Sequence, residues 1–295
     1  MRVVSIGECM VELAPAGDLF RQGFAGDTFN TAWYLKRLQP DWPVDYLSAV
    51  GTDAVSKAML SFMAGAGIGT EHVVRRADRT VGLYLISLDR GERTFSYWRS
   101  QSAARTLADD PAALARGLAG AGLVVFSGIT LAILAPERRD VLLAALKACG
   151  AVVVFDPNMR LRLWSGREEL ADWVGRAAAV ADVVLPSYDE EAALHRDAGP
   201  EVTLARYRDR GPGTVVVKNG GGRVWGWDRR TGVVSFDPTA VQPVDSTAAG
   251  DSFNAGFLAA RMAGAGLRDS VAAGAALAGK VVLHPGALVA DAFAW

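Results

Sequence analysis

Five short runs of the chain are apolar at nearly every position and rich in β-branched residues. They comprise residues 3–6, 123–126, 152–155, 183–185 and 215–217. Each is followed by a stretch long enough for a helix. Runs of this kind are typical of strands buried on both faces. They predict a parallel β-sheet at the centre of the fold.

Helical segments separate these runs, and several of them open with Asp, Pro or Ser at capping positions. The predicted helices span residues 28–38, 54–64, 111–119, 136–147, 168–178, 189–194, 251–263 and 268–283. This alternation is the pattern of a doubly wound α/β fold, in which ligands bind beyond the carboxyl ends of the strands. Polar residues follow several of the runs, as in Asp156-Pro157-Asn158 and Lys218-Asn219-Gly220.

Two segments alternate between apolar and polar residues instead. Residues 10–24, and residues 82–88 with 93–99, are typical of antiparallel strands, and the second pair forms a hairpin through the turn at 89–92. Alternation predicts one covered face and one free face. The pattern alone equally allows a lid over the main sheet, an exposed edge or a dimer contact.

Composition excludes several classes of function. The 295 residues allow one large domain or two small ones, and 31 Lys and Arg against 32 Asp and Glu leave a net charge of −1. That balance gives no general attraction to nucleic acid or an anionic membrane. No apolar stretch approaches the roughly 20 residues of a bilayer span. We therefore expect a soluble, cytoplasmic protein with neither nucleic-acid nor membrane partners.

The motifs of several enzyme classes are absent from the sequence. The two cysteines and three histidines lack the spacing of a disulfide framework, a zinc site or a hydrolytic triad. No GxxxxGK[ST] loop occurs, and no GxGxxG follows the first strand. These features argue against Walker-type nucleotide binding and against a dinucleotide enzyme.

The most informative motif is Asp245-Ser246-Thr247-Ala248-Ala249-Gly250-Asp251, which leads into an apolar-faced helix. A turn of small residues entering a helix presents backbone N–H groups at the positive end of the helix dipole, where phosphate oxygens bind. A carboxylate beside such a site is unfavourable unless it acts, for example as a base for a hydroxyl nucleophile. The other interpretation is that Asp251 or Thr247 only caps the helix.

Three further segments carry candidate chemistry, each with a structural alternative. Gly26-Asp27-Thr28-Phe29-Asn30 opens a helix and either meets a polyol or caps that helix. Arg160 and Arg162 follow a strand and either bind an anion or form surface ion pairs. The Gly triplet after Lys218 either approaches a nucleotide or forms a plain hairpin turn.

In this order, these motifs resemble those of the ribokinase-like (PfkB) carbohydrate kinases over essentially the whole chain. The family signature D-T-x-G-A-G-D is matched by residues 245–251. The resemblance implies an α/β fold with a doubly wound, mostly parallel sheet flanked by helices and a small β-sheet lid. It implies a core of residues 1–9, 25–80 and 100–295, and a lid inserted as residues 10–24 and 81–99.

The resemblance also implies roles for individual residues. Asp251 is the catalytic base, and the N–H groups of Ala248, Ala249 and Gly250 form the anion hole. The implied sugar-binding residues are Gly26, Asn30, Tyr84, Tyr97, Arg99, Arg162 and Asp251. The implied nucleotide-binding residues are Asn158, Arg160, Ser187, Lys218, Gly220, Gly222 and Gly250. ATP and Mg²⁺ are implied, with Glu190 acting indirectly on the metal, as is a monovalent cation such as K⁺ near Asp245 and Thr247.

Within the family, segments such as 7–13, 82–84, 91–95 and 160–164 resemble the subgroup that phosphorylates the C6 hydroxyl of 2-keto-3-deoxygluconate. Arg99 and Arg162 would supply the cations that a sugar acid needs and a neutral sugar does not. The alternatives are a kinase of a neutral sugar such as fructose or ribose, and a non-catalytic sugar or nucleotide sensor. The lid is also a candidate surface for homo-oligomerisation.

Two positions depart from the family pattern. Ala248 replaces the first Gly of the anion-hole motif, which is costly only if its φ angle is positive. Ser187 stands where the family has the Asn of its Asn-x-x-Glu motif, whereas Glu190 is retained.

Overall fold

A computed structural model describes residues 1–89 and 92–293 of the chain. Its strands are β1 Val3–Ile6, β2 Met10–Ala16, β3 Leu19–Ala25, β4 Val44–Leu47, β5 Ala49–Gly51, β6 Ile68–Gly69, β7 Val74–Arg76, β8 Leu83–Asp89, β9 Glu92–Trp98, β10 Leu123–Ser127, β11 Val152–Asp156, β12 Val183–Val184, β13 Thr214–Val217, β14 Val224–Asp228 and β15 Gly232–Phe236. Its helices are α1 Asp27–Leu38, α2 Ala54–Gly65, α3 Pro111–Leu118, α4 Gly128–Ala132, α5 Pro136–Ala148, α6 Arg167–Val180, α7 Tyr188–His195, α8 Pro200–Arg208, α9 Ala249–Met262 and α10 Leu267–Val281.

In the described residues the main sheet has nine strands in the order β15-β14-β13-β12-β11-β10-β1-β4-β6. Pairing is parallel from β13 to β6 and antiparallel only through β14 and β15. The chain leaves β1 towards β4 and later returns to β10 on the other side of β1. The order therefore reverses between β1 and β10, the kind of point where α/β sheets bind ligands.

Both faces of the main sheet are covered. Successive residues of β1 point to opposite faces, so Val3 joins one apolar cluster with α1, α9 and α10, while Val4 joins another with α3, α5 and α6. Strands β10 and β11 divide their residues in the same way. This confirms the predicted doubly wound α/β fold and explains why its strands are apolar at nearly every position.

The two alternating segments form a second sheet in the order β3-β2-β8-β9. Strands β2 and β3 pair antiparallel, as do β8 and β9, and β2 joins β8 in parallel. This is the predicted small sheet, and it covers one side of the edge of the main sheet at which the parallel strands end. Residues 90 and 91 of the predicted turn lie outside the described residues, and the exact boundary between core and lid stays a prediction.

The predicted strands and helices are present, with ends shifted by at most a few residues. The sequence-based predictions did not include β4, β5, β6, β7, β14, β15, α4 and α8. Strand β14 alternates because only one face is buried, so it did not resemble the continuous apolar runs. Among the described residues, no helix combines the length and hydropathy needed to cross a bilayer.

Candidate active site

Two joined cavities lie at the carboxyl edge of the main sheet. The first has a volume of about 720 Å³ and lies beneath the second sheet. The other has a volume of about 550 Å³ and lies between the turn after β13 and helix α10. We call them the lid cavity and the α10 cavity. Six residues line both cavities and form their junction: Ser187, Glu190, Lys218, Ser246, Ala249 and Gly250.

Asp251 lies in the first turn of α9 and lines the lid cavity. Its Oδ2 accepts a hydrogen bond of 2.8 Å from Asn30 Nδ2, across 221 positions of sequence. Asn30 is itself held, because its Oδ1 accepts the N–H of Gly26 at 3.3 Å. Thr31 Oγ1 also donates to the Asp251 carbonyl oxygen at 3.3 Å. Helices α1 and α9 therefore fix the orientation of the carboxylate.

The pKa of Asp251 is raised to about 7. Withdrawal from water is the largest cause, followed by repulsion from Asp27 and then Asp156, while Asn30 and Lys218 act in the opposite direction. A carboxyl group with a pKa near neutrality can both accept and release a proton at physiological pH. This environment is typical of a general base rather than of a surface carboxylate.

The N-terminus of α9 does not match the simple capping interpretation. Its N-cap residue is Ala248, which has no side-chain acceptor, and the Asp251 carboxylate is engaged by Asn30. The Ala249 N–H donates to Ser246 O at 3.2 Å. Among residues 1–89 and 92–293, none accepts a hydrogen bond from the Gly250 N–H. Because Gly250 lines both cavities, this donor of the helix N-terminus lies at the junction, where an anion hole is predicted.

Ala248 has φ +59° and ψ +16°, the left-handed conformation. This conformation costs an L-residue on the order of 1 kcal/mol and favours glycine. The departure from the family's Gly therefore carries a conformational cost here. The methyl group packs against the apolar cluster containing Met10, Tyr84 and Ala287.

Gly26, at the start of α1, is required for space. A Cβ at this position would lie 2.1 Å from the Glu8 carbonyl oxygen, far inside contact distance. Next to it, Asp27 Oδ2 accepts a 2.7 Å hydrogen bond from Asn158 Nδ2. Asn158 thus lines the lid cavity and contacts the α1 motif, and its predicted contact with the nucleotide stays a prediction.

Two buried carboxylates hold the predicted sugar-binding residues of the lid. Tyr84 donates its hydroxyl to Glu12 Oε2, and Arg99 Nη2 donates to Glu8 Oε2. Burial, together with Glu12, raises the pKa of Tyr84 far above its ordinary value, so the phenol stays a donor. Arg99 lines the cavity but already has an ion-pair partner.

Arg162 is placed differently from Arg99. It lies after β11, lines the lid cavity, and its guanidinium carbon is 4.1 Å from the centre of the Tyr97 ring. Within the described residues Arg162 has no carboxylate partner. Of the two predicted arginines, it is therefore the one whose charge is available to a ligand.

Glu190, in the first turn of α7, lies at the junction of the cavities. Its Oε2 accepts the Met159 N–H at 2.8 Å, and its Oε1 pairs with Arg160. Arg160 lines the lid cavity, and its predicted contact with the nucleotide stays a prediction. Ser187, one residue before α7, borders both cavities.

Lys218 directly follows β13 and is 7% exposed. Its Nζ donates to Asp156 Oδ2 at 2.6 Å and to Asn254 Oδ1 at 3.1 Å. The turn after Lys218, which contains the Gly triplet, leads into β14. Because β14 is antiparallel to β13, this turn has the shape of the plain hairpin that the sequence allowed as an alternative. Gly220 of this turn nevertheless lines the α10 cavity, whereas Gly222 lines neither cavity.

Several residues that line the cavities or hold a lining residue in place were not predicted. Asp27 and Asp156 had a signal, since one lies inside the Gly26–Asn30 motif and the other at the end of a predicted strand. Asn254 had none, because a polar residue one turn into a helix is common. The apolar wall of the α10 cavity was also missed: it consists of Pro238, Val241, Pro243, Phe253, Ala275, Ala278 and Val282.

Among the described residues, no group of three or more His, Cys, Asp or Glu side chains is arranged to hold a metal. Mg²⁺ commonly binds through one or two carboxylates, water and substrate phosphates. Glu190 at the junction fits that mode, because each of its oxygens retains acceptor capacity beyond its present partner.

Comparisons with known proteins agree with this geometry. Residues 1–291 match the pfkB family of carbohydrate kinases. The 2-dehydro-3-deoxygluconokinase of Escherichia coli (strain K12) is 38% identical, covering 98% of this chain and 97% of that protein. The protein of the same name from Haemophilus influenzae is 39% identical, covering 98% and 95%.

Solved structures agree as well. The fructokinase of Vibrio cholerae O395, in a form bound to fructose, ADP and calcium ion, has a TM-score of 0.84 at 26% identity, covering 98% of this chain and 95% of that chain. A double mutant of that fructokinase, bound to fructose, ADP and potassium ion, has a TM-score of 0.84 at 25% identity, covering 98% and 94%.

Proposed function

The chain belongs to the pfkB family of carbohydrate kinases, and from this premise we propose that it transfers the γ-phosphoryl group of ATP to the C6 hydroxyl of 2-keto-3-deoxygluconate. The observation that carries the proposal is the pairing of two groups in one cavity. The lid cavity holds a carboxylate with a raised pKa, Asp251, and a cation that has no carboxylate partner among the described residues, Arg162. A base and a free cation together suit an acceptor that has both a hydroxyl and a carboxylate.

Six residues of the lid cavity then have a role. Arg162 binds the substrate carboxylate, and Tyr84, Tyr97 and Asn30 contact the polar carbon chain. Asp251 accepts the proton of the attacking hydroxyl, with Asn30 fixing its orientation. The Gly250 N–H at the junction stabilises charge on the phosphoryl group.

The α10 cavity takes the nucleotide, with the base against its apolar wall and the phosphates at the junction. Mg²⁺ would be held by the phosphates and, through water, by Glu190, and it supplies positive charge to the phosphate oxygens. A monovalent cation would bind near the Asp245 loop. There, Asp245 accepts the N–H groups of Gly286 at 2.6 Å and Thr247 at 3.0 Å, which ties the loop to the chain after α10.

The lid is our candidate surface for homo-oligomerisation. Phe20 and Trp98, 54% and 60% exposed, lie on the face opposite the cavity, in register with neighbouring apolar residues of β2 and β8. A second copy covering this face would remove these aromatic rings from water. The compartment that we propose is the cytoplasm, where ATP is available.

The decisive experiment measures ADP release with ATP and Mg²⁺ over a panel of acceptors. The panel contains 2-keto-3-deoxygluconate, its galactonate epimer, gluconate, fructose and ribose. We expect the highest kcat/KM with a 2-keto-3-deoxy sugar acid and at least 100-fold less with fructose or ribose. A preference for a neutral sugar would show that Arg162 does not select the substrate, and no turnover with any acceptor would favour a sensor.

A further inference from the structure

Lys218 joins three parts of the fold through side-chain hydrogen bonds. Lys218 directly follows β13, its partner Asp156 is the last residue of β11, and its partner Asn254 lies in α9. Lys218 Nζ donates to Asp156 Oδ2 and Asn254 Oδ1, and Asn254 Nδ2 donates to the same Asp156 oxygen at 2.6 Å. All three side chains are buried, with exposures of 7%, 7% and 2% for Lys218, Asp156 and Asn254.

The position of Lys218 relative to the cavities is distinctive. Of the Lys and Arg residues that the structure describes, it alone lines both the lid cavity and the α10 cavity. Its Nζ would lie 3.5 Å from a Cβ built on Gly250, which also lines both cavities. The positive charge therefore lies where a phosphoryl group passes from one cavity to the other.

The hydrogen bonding of Lys218 leaves it one free donor. An ammonium group has three N–H donors, and two of them are used by Asp156 and Asn254. Over the described parts of the chain there is no acceptor for the third.

We propose that Lys218 is a catalytic residue that donates a hydrogen bond to the transferring phosphoryl group, with Asp156 and Asn254 as its positioning residues. The proposal rests on the proposed kinase function. In the step, the acceptor oxygen forms a bond to the γ-phosphorus while the bond from phosphorus to the bridging oxygen breaks. ADP leaves with that electron pair, and the hydroxyl proton passes to Asp251. The Lys218 ammonium group and the Gly250 N–H stabilise the negative charge on the oxygens of the transferring phosphoryl group.

The test separates transition-state binding from nucleotide binding. Lys218→Met keeps the length of the side chain and removes its charge. We expect kcat to fall by at least 100-fold, the affinity for ADP to change by less than threefold, and the affinity for ADP with aluminium fluoride and the acceptor to fall by at least 30-fold. Assays at pH 8.5 or above keep Asp251 ionised, so a change in its titration is not mistaken for the effect.

A second variant addresses folding. Lys218→Met leaves Asp156 buried without its counter-charge, whereas Lys218→Met with Asp156→Asn removes both charges together. We expect the double variant to unfold at a temperature close to that of the wild type and to remain at least 100-fold slower. Lys218→Arg, which restores a cation, should recover part of the loss.

The proposal is overturned if the double variant turns over within threefold of the wild type. It is also overturned if Lys218→Met weakens ADP and the aluminium fluoride complex equally, since Lys218 would then only bind nucleotide. Failure of the proposed substrate is distinguishable, because it shows as wild-type inactivity on sugar acids. The same variants are then measured with whichever acceptor the wild type phosphorylates.

Discussion

The two cavities that meet at Gly250 are built in opposite ways. The lid cavity is lined by charged side chains that come from distant parts of the sequence and hold one another in place, as Asn30 holds Asp251 and Glu8 holds Arg99. The α10 cavity is lined mainly by small and apolar residues of two short stretches near the C-terminus, 238–253 and 275–282.

This difference suggests a division of work. Charged, oriented side chains discriminate between acceptors by chemistry, because an unmatched buried polar group is costly. An apolar slot of small residues accepts a flat base by shape. Substitutions in the lid cavity should therefore affect turnover and sugar selection, and those in the α10 cavity should affect ATP alone.

The largest expected effect comes from Asp251→Asn. The amide keeps the shape and can still accept the Asn30 hydrogen bond, but it cannot take a proton. We expect kcat to fall by roughly 10²–10⁴-fold with little change in ATP affinity, the range for loss of a general base. Stopped-flow phosphoryl transfer and ATP titration measure the two quantities. Turnover within tenfold of the wild type would remove Asp251 from the role of base.

Arg162→Ala should have the second-largest effect on catalysis. Loss of a charged hydrogen bond to the substrate carboxylate should raise KM for the sugar acid by roughly 10- to 100-fold, with KM for ATP unchanged. Arg162→Lys keeps the charge without the planar fork and should lie between the two. An equal loss with a substrate analogue that lacks the carboxylate would contradict the role.

The pH dependence gives a sharper view of the lid cavity. Because the pKa of Asp251 is about 7 and its ionised form is the base, kcat/KM should rise about tenfold between pH 6 and pH 8. Asp27→Asn removes the charge that repels Asp251 most strongly and should move the midpoint to lower pH. A profile flat over this range, or an Asp27→Asn midpoint that is unchanged, would argue against this environment.

The same titration has a consequence for stability, with a definite sign. The folded pKa of Asp251 is raised, so between about pH 4 and pH 7 the folded protein retains a proton that the unfolded chain has lost. This contribution to the free energy of unfolding therefore falls as pH rises towards 7. In Asp251→Asn that pH-dependent contribution should disappear, which urea unfolding at pH 5 and pH 8 would detect.

Gly279→Leu tests the α10 cavity, in contrast to the preceding variants, which test the lid cavity. Gly279 lines this cavity, and a Cβ there meets nothing within 4 Å, so the larger side chain would enter open space. We expect KM for ATP to rise about tenfold, the scale of 1–2 kcal/mol lost by steric exclusion, and KM for the sugar acid to stay unchanged. Ala276→Leu, on an exposed position of the same helix, is the matched control.

Ala248→Gly should have the smallest effect, and its sign is informative. Because Ala248 has φ +59°, glycine should raise the free energy of unfolding by about 1 kcal/mol. Turnover should change by less than a few-fold, since the backbone donors stay in place. Ala276→Gly, within helix α10, should instead destabilise by a similar amount. Destabilisation of both variants would show that the Ala248 methyl contributes more by packing than it costs in strain.

The main sheet and the helices around it were largely predictable, because the burial of a parallel strand on both faces leaves a continuous apolar run. Strand β14 and helix α8 were not, since a half-buried edge strand and a helix with a weak apolar face leave little periodic signal. At the site, Asp251 and Arg162 were identified through resemblance to a family. The residues that orient them or share their cavity, such as Asp27 and Asp156, had at most a positional signal.

The sequence alone predicted most strands of the main sheet and the helices between them, an anion-binding turn before a helix, and the set of charged residues at the strand ends. The tertiary structure decided which of those charges are already neutralised. Arg99 forms an ion pair with Glu8, whereas Arg162 has no carboxylate partner in the described part of the chain. Asp156 holds Lys218 at the junction. It also decided that Ala248 is left-handed. Such facts depend on distances between residues far apart in the chain, which no local pattern of hydrophobic and polar positions contains.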